Sequence, residues 1–323
     1  MANRRSTITW LLEKSQPCVR YLTLTHLLDK TENDSEVVAA KKMATRTGWA
    51  ANILAKQVPQ GWWVDGESLY QPKYLSTNWM LLILSDLGLT KAEPRIRKSC
   101  ELWIRRLAKK DGGFGSERWS RGHLCTTGNT ARALVKFGYA DHPKVKDSFD
   151  WLVKNQSHLG GWSCFGSGRN LDSWEPMSAF AALPRQKWTK SMSQAVEKGA
   201  EFFLERQLHK QGDRYPSWYR FHYPTHYYYD VLVGLDFMTA LGYGGDKRLN
   251  YAIQLLTKKR RRDGRWNLDA VHPDVAGGMA EWYKKHPKDK PVPFSLEEVG
   301  KPSKIITLTA MQVLRRLGES DQN

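Results

Sequence analysis

The sequence predicts an all-α fold, an (α/α)6 toroid, meaning a closed ring of six helix pairs in an inner and an outer layer. Three observations carry this. A glycine–aromatic turn recurs along the chain, apolar positions fall at helical spacing, and no segment of note alternates with the two-residue period of a strand. The turn is clearest at Asp111-Gly112-Gly113-Phe114. With Trp62, Phe114, Trp162, Tyr215 and Trp266 as markers, the spacings are 52, 48, 53 and 51 residues. Such a fixed period is the signature of a repeat array, in which each unit buries its apolar face only against its neighbours.

Each turn follows an amphipathic segment and precedes a more apolar one. The amphipathic set, 6–15, 48–57, 99–110, 148–157, 199–210 and 250–261, places a bulky apolar pair mid-segment and ends in Lys, Arg or Gln, as outer helices would. The second set, 16–28, 74–88, 125–138, 172–185, 226–242 and 302–318, is apolar around its circumference and suits burial on both sides. Gly88, Gly138, Gly242 and Gly318 close four of these helices, the usual left-handed stop, and Ser, Thr, Asp, Asn or Pro gather at their starts. Six pairs suffice to close a ring, which leaves no repeat end to cap. The expected organisation is therefore one domain, 1–323, with a long loop insertion at about 268–302 rich in Pro, Lys and His.

Cys18, Cys100, Cys125 and Cys164 form no C-x-x-C pair, which predicts reduced thiols, no disulfide framework and no zinc ribbon. The N-terminal stretch lacks the pattern of a signal peptide, and the longest apolar run, 79–84, is too short to span a bilayer. A cytoplasmic protein without metal or organic cofactor is expected. The formal net charge of +17 is a self-repulsion that usually answers to a polyanionic partner, nucleic acid before an anionic membrane surface; a plain solubility role is the third reading.

The turn in "WLVKNQSHLGGW" resembles the Q-x-x-x-x-G-x-W motif of the squalene-cyclase and protein-prenyltransferase repeat superfamily, and "LAKKDGGFG" resembles the D-G-G-F-G form of its prenyltransferase branch. The resemblance covers nearly the whole chain. It implies an α/α toroid around a central pocket that opens at the N-terminal ends of the inner helices. Neither chemistry of the superfamily carries over. The D-x-D-D run of class II terpene cyclases is missing, and so is the Asp-x-Cys pair of prenyltransferase zinc sites. The turn residues themselves are expected to serve stability: glycine permits the turn and the aromatic wedges between helix pairs.

On that geometry the first turns of the inner helices rim the pocket. The rim residues are polar, charged and aromatic, unlike a cavity built to fold a hydrocarbon. The expected substrate-binding set is Tyr74, Asn78, Trp79, Cys125, Thr126, Asn129, Trp174, His222, His226, Tyr227, Tyr228, Lys301 and Lys304. Four carboxylates are candidates for catalysis: Asp172, Glu175, Asp230 and Glu298. Asp172 and Glu175 share a helix face at i and i+3, although D-S-W-E equally reads as a capping box with Asp172 as N-cap and Glu175 at N3. His222, His226 and Asp230 are spaced to stack on one face of a continuous helix, with Pro224 arguing that His222 precedes it. These residues are read as buried, hydrogen-bonded groups and no metal site is assigned. Lys301 and Lys304 are placed to hold phosphate.

Basic residues gather at the same rim: Arg118, Arg121, Arg169, Arg214, Lys258, Lys259, Arg260, Arg261, Arg262 and Arg265. Five successive cations exceed what a helix C-terminus explains. Together with the polar pocket they give the primary expectation, a hydrolase that binds nucleic acid, DNA above all. It would act as an N-glycosylase that flips a modified base into the pocket and cleaves the glycosidic bond with a carboxylate. The alternatives are an isoprenoid enzyme or binder related to terpene cyclases and prenyltransferases, and a nucleic-acid-binding module without catalysis, in which the carboxylates are only caps.

Overall fold

Where an outer helix hands over to an inner one, the chain must turn sharply, and at four of these joints a left-handed glycine makes the turn. Gly61, Gly112, Gly160 and Gly264 have φ of 100°, 97°, 92° and 83°, a region costly for any residue with a Cβ. Two positions later stand Trp63, Phe114, Trp162 and Trp266, all buried. The indole N–H groups of Trp63, Trp162 and Trp266 donate to the carbonyls of Ile53, Leu152 and Leu256 at 2.7, 2.9 and 2.8 Å. Each carbonyl lies ten residues upstream, near the end of the preceding helix, where backbone acceptors lack helical partners. The backbone N–H of Trp63, Phe114 and Trp266 donates to the hydroxyl of Thr77, Thr127 or Thr307 on the following helix, at 3.0, 2.9 and 3.0 Å. One aromatic thus ties both helices of a joint.

The computed structural model describes residues 2–164, 173–208, 216–226, 228–271, 284–287 and 294–318. Helices α1 (Ala2–Leu11) and α2 (Pro17–His26) form the first pair, followed by α3 (Ser35–Ala44) and α4 (Gly48–Leu54). Then come α5 (Thr77–Asp86), α6 (Pro94–Leu107), α7 (Leu124–Lys136), α8 (Pro143–Lys154), α9 (Glu175–Ala182) and α10 (Lys190–Glu205). Helices α11 (Val231–Ala240), α12 (Asn250–Lys258) and α13 (Lys304–Arg316) complete the set. The described residues contain isolated bridges and no β-strand, so the fold is all-α. The apolar segments are the inner layer: α5 buries every residue from Thr77 to Ser85, whereas outer α12 buries only Ala252 and Leu256. Gly88, Gly138, Gly242 and Gly318 all take positive φ just past inner-helix ends, as expected.

The inner helices touch in series: α5 on α7, α7 on α9, α9 on α11, α11 on α13 and α13 on α2. The closest pair is α7 and α9, where a Cβ added at Gly128 would lie 2.6 Å from the backbone of Glu175. The two ends of the chain meet. Thr7 Oγ1 donates to the Asp263 carbonyl at 3.1 Å, and Lys304 Nζ lies 2.9 Å from Glu13.

Two sequence expectations change in register. The aromatic of the first turn is Trp63 and not Trp62: only the side chain two positions after the left-handed glycine is directed into the core, and Trp62 stays partly exposed beside Gly66. Helix α3 was not anticipated. Asp34 caps it through the Glu36 N–H at 2.9 Å, and it packs on α2 and α4. The fourth turn, around Tyr215, lies outside the described residues, as does most of the 268–302 insertion.

Gly160→Ala tests the turn. Its Cβ would meet the Lys198 carbonyl at 2.5 Å at a φ of 92°. The expected loss is about 2 kcal/mol or more of unfolding free energy, read from denaturant midpoints at unchanged m.

Candidate functional site

A cavity of about 290 Å³ runs down the middle of the inner helices. Its outermost lining residues are His26 and Lys136, both exposed, with Asp86, Gly88, Thr90, Asp236 and Gln312 half-buried. All lie in the C-terminal halves of inner helices or just past them. Its deep end is formed by Arg132, Trp174, His222, Tyr223 and Asp230, which are buried. Between the two ends run aliphatic walls from Val19, Leu22, Leu87, Leu232, Ile306 and Leu308. The cavity therefore opens at the C-terminal ends of the inner helices, the reverse of the opening implied by the family resemblance. On the N-terminal side, among the described residues, the rings of Phe221, Tyr223, His226, Tyr228 and Tyr229 are buried. His226 stacks on Tyr74 at 5.0 Å and meets Trp79 edge-on at 5.0 Å, and its carbonyl accepts from Asn129 Nδ2 at 2.5 Å.

Charge enters the cavity from α7. Arg132 and Lys136, one turn apart on one face, flank Asp86 at the end of α5, Lys136 at 2.7 Å and Arg132 at 3.8 Å. Burial pushes the Asp86 carboxyl up, but Lys136 and Arg132 outweigh it and hold it below the usual carboxylate range. Arg132 is 6 % exposed, and its guanidinium sits 5.3 Å from the Trp174 ring. Among the described residues its Nε and Nη2 have no hydrogen-bond partner, nor do Trp174 Nε1, the Tyr223 hydroxyl or His222 Nε2. Burial, and next the Asp86 charge, push the Tyr223 hydroxyl well up, so it remains a donor at neutral pH. Buried donors in this condition are rare, since each forfeits its interaction with water.

His222 and Asp230 form the second element of the deep end. Asp230 is the N-cap of α11 and accepts from the Val233 N–H at 2.9 Å. Its other oxygen accepts the His222 backbone N–H at 3.0 Å and faces His222 Nδ1 at 2.6 Å. A carboxylate already accepting two backbone donors is an acceptor here, so Nδ1 carries the hydrogen and Nε2 is the nitrogen left for proton transfer.

Of the residues proposed from sequence, Trp174, His222 and Asp230 line this cavity. Tyr74, Asn78, Trp79, Asn129, His226 and Tyr228 belong instead to the packing beside it. Asn78 Oδ1 accepts from Trp103 Nε1 at 3.2 Å, and the hydroxyls of Tyr74 and Tyr228 lie 3.3 Å apart. His222 and His226 both precede the helix, which starts at Val231, so no three-residue stack along one helix face forms. The capping box is corrected as well: Glu175 is the first residue of α9, with Trp174 at the N-cap, and its side chain is fully buried. Glu298 is exposed; its neighbour Glu297 is the carboxylate that accepts from Ser303 Oγ and the Lys304 N–H, at 2.5 and 2.6 Å. Lys301 is exposed, and Lys304 bonds to the Trp10 carbonyl and Glu13, which makes it part of the seam between the chain ends. Cys125 and Thr126 are buried in the first turn of α7 and do not line the cavity. Asp172, Tyr227, Arg169 and Arg214 lie outside the described residues.

The basic rim also stands apart from the cavity. Arg118, Arg121 and the run Lys258–Arg265 flank the N-terminal ends of inner helices, and none of them lines the cavity. Several are already engaged: Lys259 with Asp269 at 2.8 Å, Arg261 with Asp263 at 3.3 Å, Arg260 over Trp266 and Arg265 over Trp10. Arg118, Arg121, Lys258 and Arg262 are exposed. The residues that sequence reasoning missed are Asp86, Arg132 and Lys136. Their signal was present, as charges inside two of the most apolar segments, LLILSD and ARALVK.

No protein-family model matches the sequence, and no curated protein matches it. Among solved structures, the chain is similar to a protein from Actinoplanes, 16% identical over 98% of this chain and 99% of that one, with a TM-score of 0.49. It is also similar to the type II terpene cyclase MstE from Scytonema, 15% identical over 84% of this chain and 95% of that one, with a TM-score of 0.32. A variant of that cyclase holding its substrate, geranylgeranyl dihydroxybenzoate, is 14% identical at a TM-score of 0.32.

Asp86→Asn isolates the charge triad. Because the folded carboxyl lies below its ordinary value of 3.8, its contribution is full above that pH and fades as pH falls through the lower, folded value. The variant is expected to lose about 2 kcal/mol at pH 7. Urea titrations across pH should show the gap persisting to mildly acidic conditions and closing only below the ordinary carboxylate range.

Proposed function

We propose that this protein binds a small amphiphilic molecule of the isoprenoid kind in the central cavity and acts on it by proton transfer. Its oxygen-bearing head group lies at the deep end, against Arg132, Tyr223 and Trp174, and its hydrocarbon lies along the aliphatic walls. The observation that carries the reading is the buried Arg132 guanidinium, whose Nε has no hydrogen-bond partner among the described residues and whose Nη2 reaches only Asp86, at 3.8 Å, beside two further donors, Trp174 Nε1 and the Tyr223 hydroxyl, that have none there either. All three residues need acceptors, which a carboxylate, phosphate or carbonyl head supplies. His222, held by Asp230 in one tautomer, offers Nε2 as the acid or base next to that head. The volume sits at the small end of the range for ligand sites, roughly 300–1,000 Å³, and so favours a short prenyl chain over a long one. A flipped base is less well served, because the cavity mouth and the basic rim lie at opposite ends of the inner helices.

Arg132→Met is the decisive variant. It leaves Asp86 with Lys136 as its remaining cationic partner, so the thermal midpoint should fall somewhat, and binding is compared at a temperature where both proteins are folded. Affinity for short-chain prenyl phosphates and carboxylates, measured by calorimetry, should fall about 10- to 100-fold, the share of charge-assisted hydrogen bonds. Equal affinity in both proteins, or no ligand of this class bound by wild type, rejects the reading. His222→Gln is expected to keep binding and lose turnover; unchanged turnover would remove the proton-transfer role.

A further inference from the structure

At the other end of the inner helices, away from the cavity mouth, three metal-ligating side chains converge. His123 is the N-cap of α7 and Cys125 the second residue of that helix; Cys164 arrives from the turn after α8. His123 Nδ1 lies 3.2 Å from Cys125 Sγ and 3.6 Å from Cys164 Sγ, and the three ligand atoms all fall within 4.8 Å of one another. A tetrahedral zinc ion with Zn–S near 2.3 Å and Zn–N near 2.05 Å requires N···S of about 3.6 Å and S···S of about 3.8 Å. Both observed N···S distances are within a few tenths of an ångström of that requirement, and the two sulfurs lie within 4.8 Å of each other.

The surroundings hold this arrangement in place. The His123 backbone N–H donates to the Phe114 carbonyl at 2.9 Å, which fixes it to the repeat turn, and its ring packs on Trp119 at 4.7 Å. The Cys125 backbone N–H, at the positive end of α7, donates to Cys164 Sγ at 3.3 Å, and the Cys164 N–H donates to Ser173 Oγ at 3.2 Å. N–H donors aimed at sulfur and a helix N-terminus both favour thiolate, the metal-binding form. His123 and Cys164 are only half-buried, so an ion can enter. None of the three residues lines the central cavity.

We propose that His123, Cys125 and Cys164 bind one divalent transition-metal ion of the zinc class. Two thiolates and a neutral imidazole balance its charge, and these are three of the four ligands that zinc takes. Sequence inspection passed over the site because its cysteines are 39 residues apart in the chain, and only the turn after α8 brings them together.

The test uses reduced full-length protein and Co²⁺ as a spectroscopic substitute. One equivalent should produce thiolate-to-cobalt charge-transfer absorption and the visible bands of a tetrahedral ion, and Zn²⁺ should displace both. Cys125→Ser and Cys164→Ser should each lose about half of the charge-transfer intensity and bind at least tenfold more weakly; His123→Ala should keep the intensity and lose affinity. A measurement on wild type alone guards against misfolded variants: Zn²⁺ should shield Cys125 and Cys164 from alkylation, as mapped by peptide mass. The proposal is overturned if reduced wild type takes up no stoichiometric cobalt. It is likewise overturned if a Cys125→Ser/Cys164→Ser double variant gives the same spectrum, or if Zn²⁺ leaves alkylation at both cysteines unchanged.

Discussion

Joining an outer helix to an inner one forces the chain to reverse within a few residues while leaving backbone carbonyls and amides of both helices to be satisfied. The glycine–aromatic joint meets both demands at once. Left-handed φ at Gly61, Gly112, Gly160 and Gly264 makes the reversal, and the aromatic two positions on is carried into the core. For the tryptophans, the indole N–H closes a carbonyl of the helix just left. Backbone N–H groups of the turn aromatics find threonine hydroxyls on the helix about to start. Because the joint fixes where these inner helices begin, it sets their contacts with the next inner helix and the side-chain positions between them.

The two candidate sites follow from what fills that layer. Among the described residues, buried rings of His222, Tyr223, His226, Tyr228 and Tyr229 stand on its N-terminal side, and the cavity described above lies toward the C-terminal ends, walled by what those turns present. Those turns present aliphatic side chains and one charge triad. A buried arginine opposite an aspartate, only partly hydrogen-bonded, is a poor way to stabilise a helical core, since an apolar residue would pack there at lower desolvation cost. Its presence in an otherwise apolar stretch of α7 is what the proposed head-group contact rests on.

The excess of positive charge is distributed differently. Lys259, Arg260 and Arg261 are spent on carboxylates and a ring face within the last turn, and Arg265 over Trp10 fastens that turn to the start of the chain. Exposed cations such as Arg118 and Arg121 lie near the thiol–imidazole cluster, on the side of the molecule that the cavity does not open to.

The sequence by itself determined the all-α class, the repeat period, the identity of the inner and outer segments and the glycine stops. These are local properties, since hydrophobic periodicity and left-handed glycine need no knowledge of distant partners. It also marked Trp174, His222 and Asp230, because polar groups near inner-helix starts stand out against an apolar background. Where the cavity's mouth lies was decided only in three dimensions: side chains either fill a space or leave it, and spacing does not encode volume. Tertiary packing likewise chose Trp63 over Trp62, turned Lys304 toward the chain's own start, and brought Cys164 against His123 and Cys125. Contacts between residues tens of positions apart arise from the packing of one helix pair on the next, which no local pattern records.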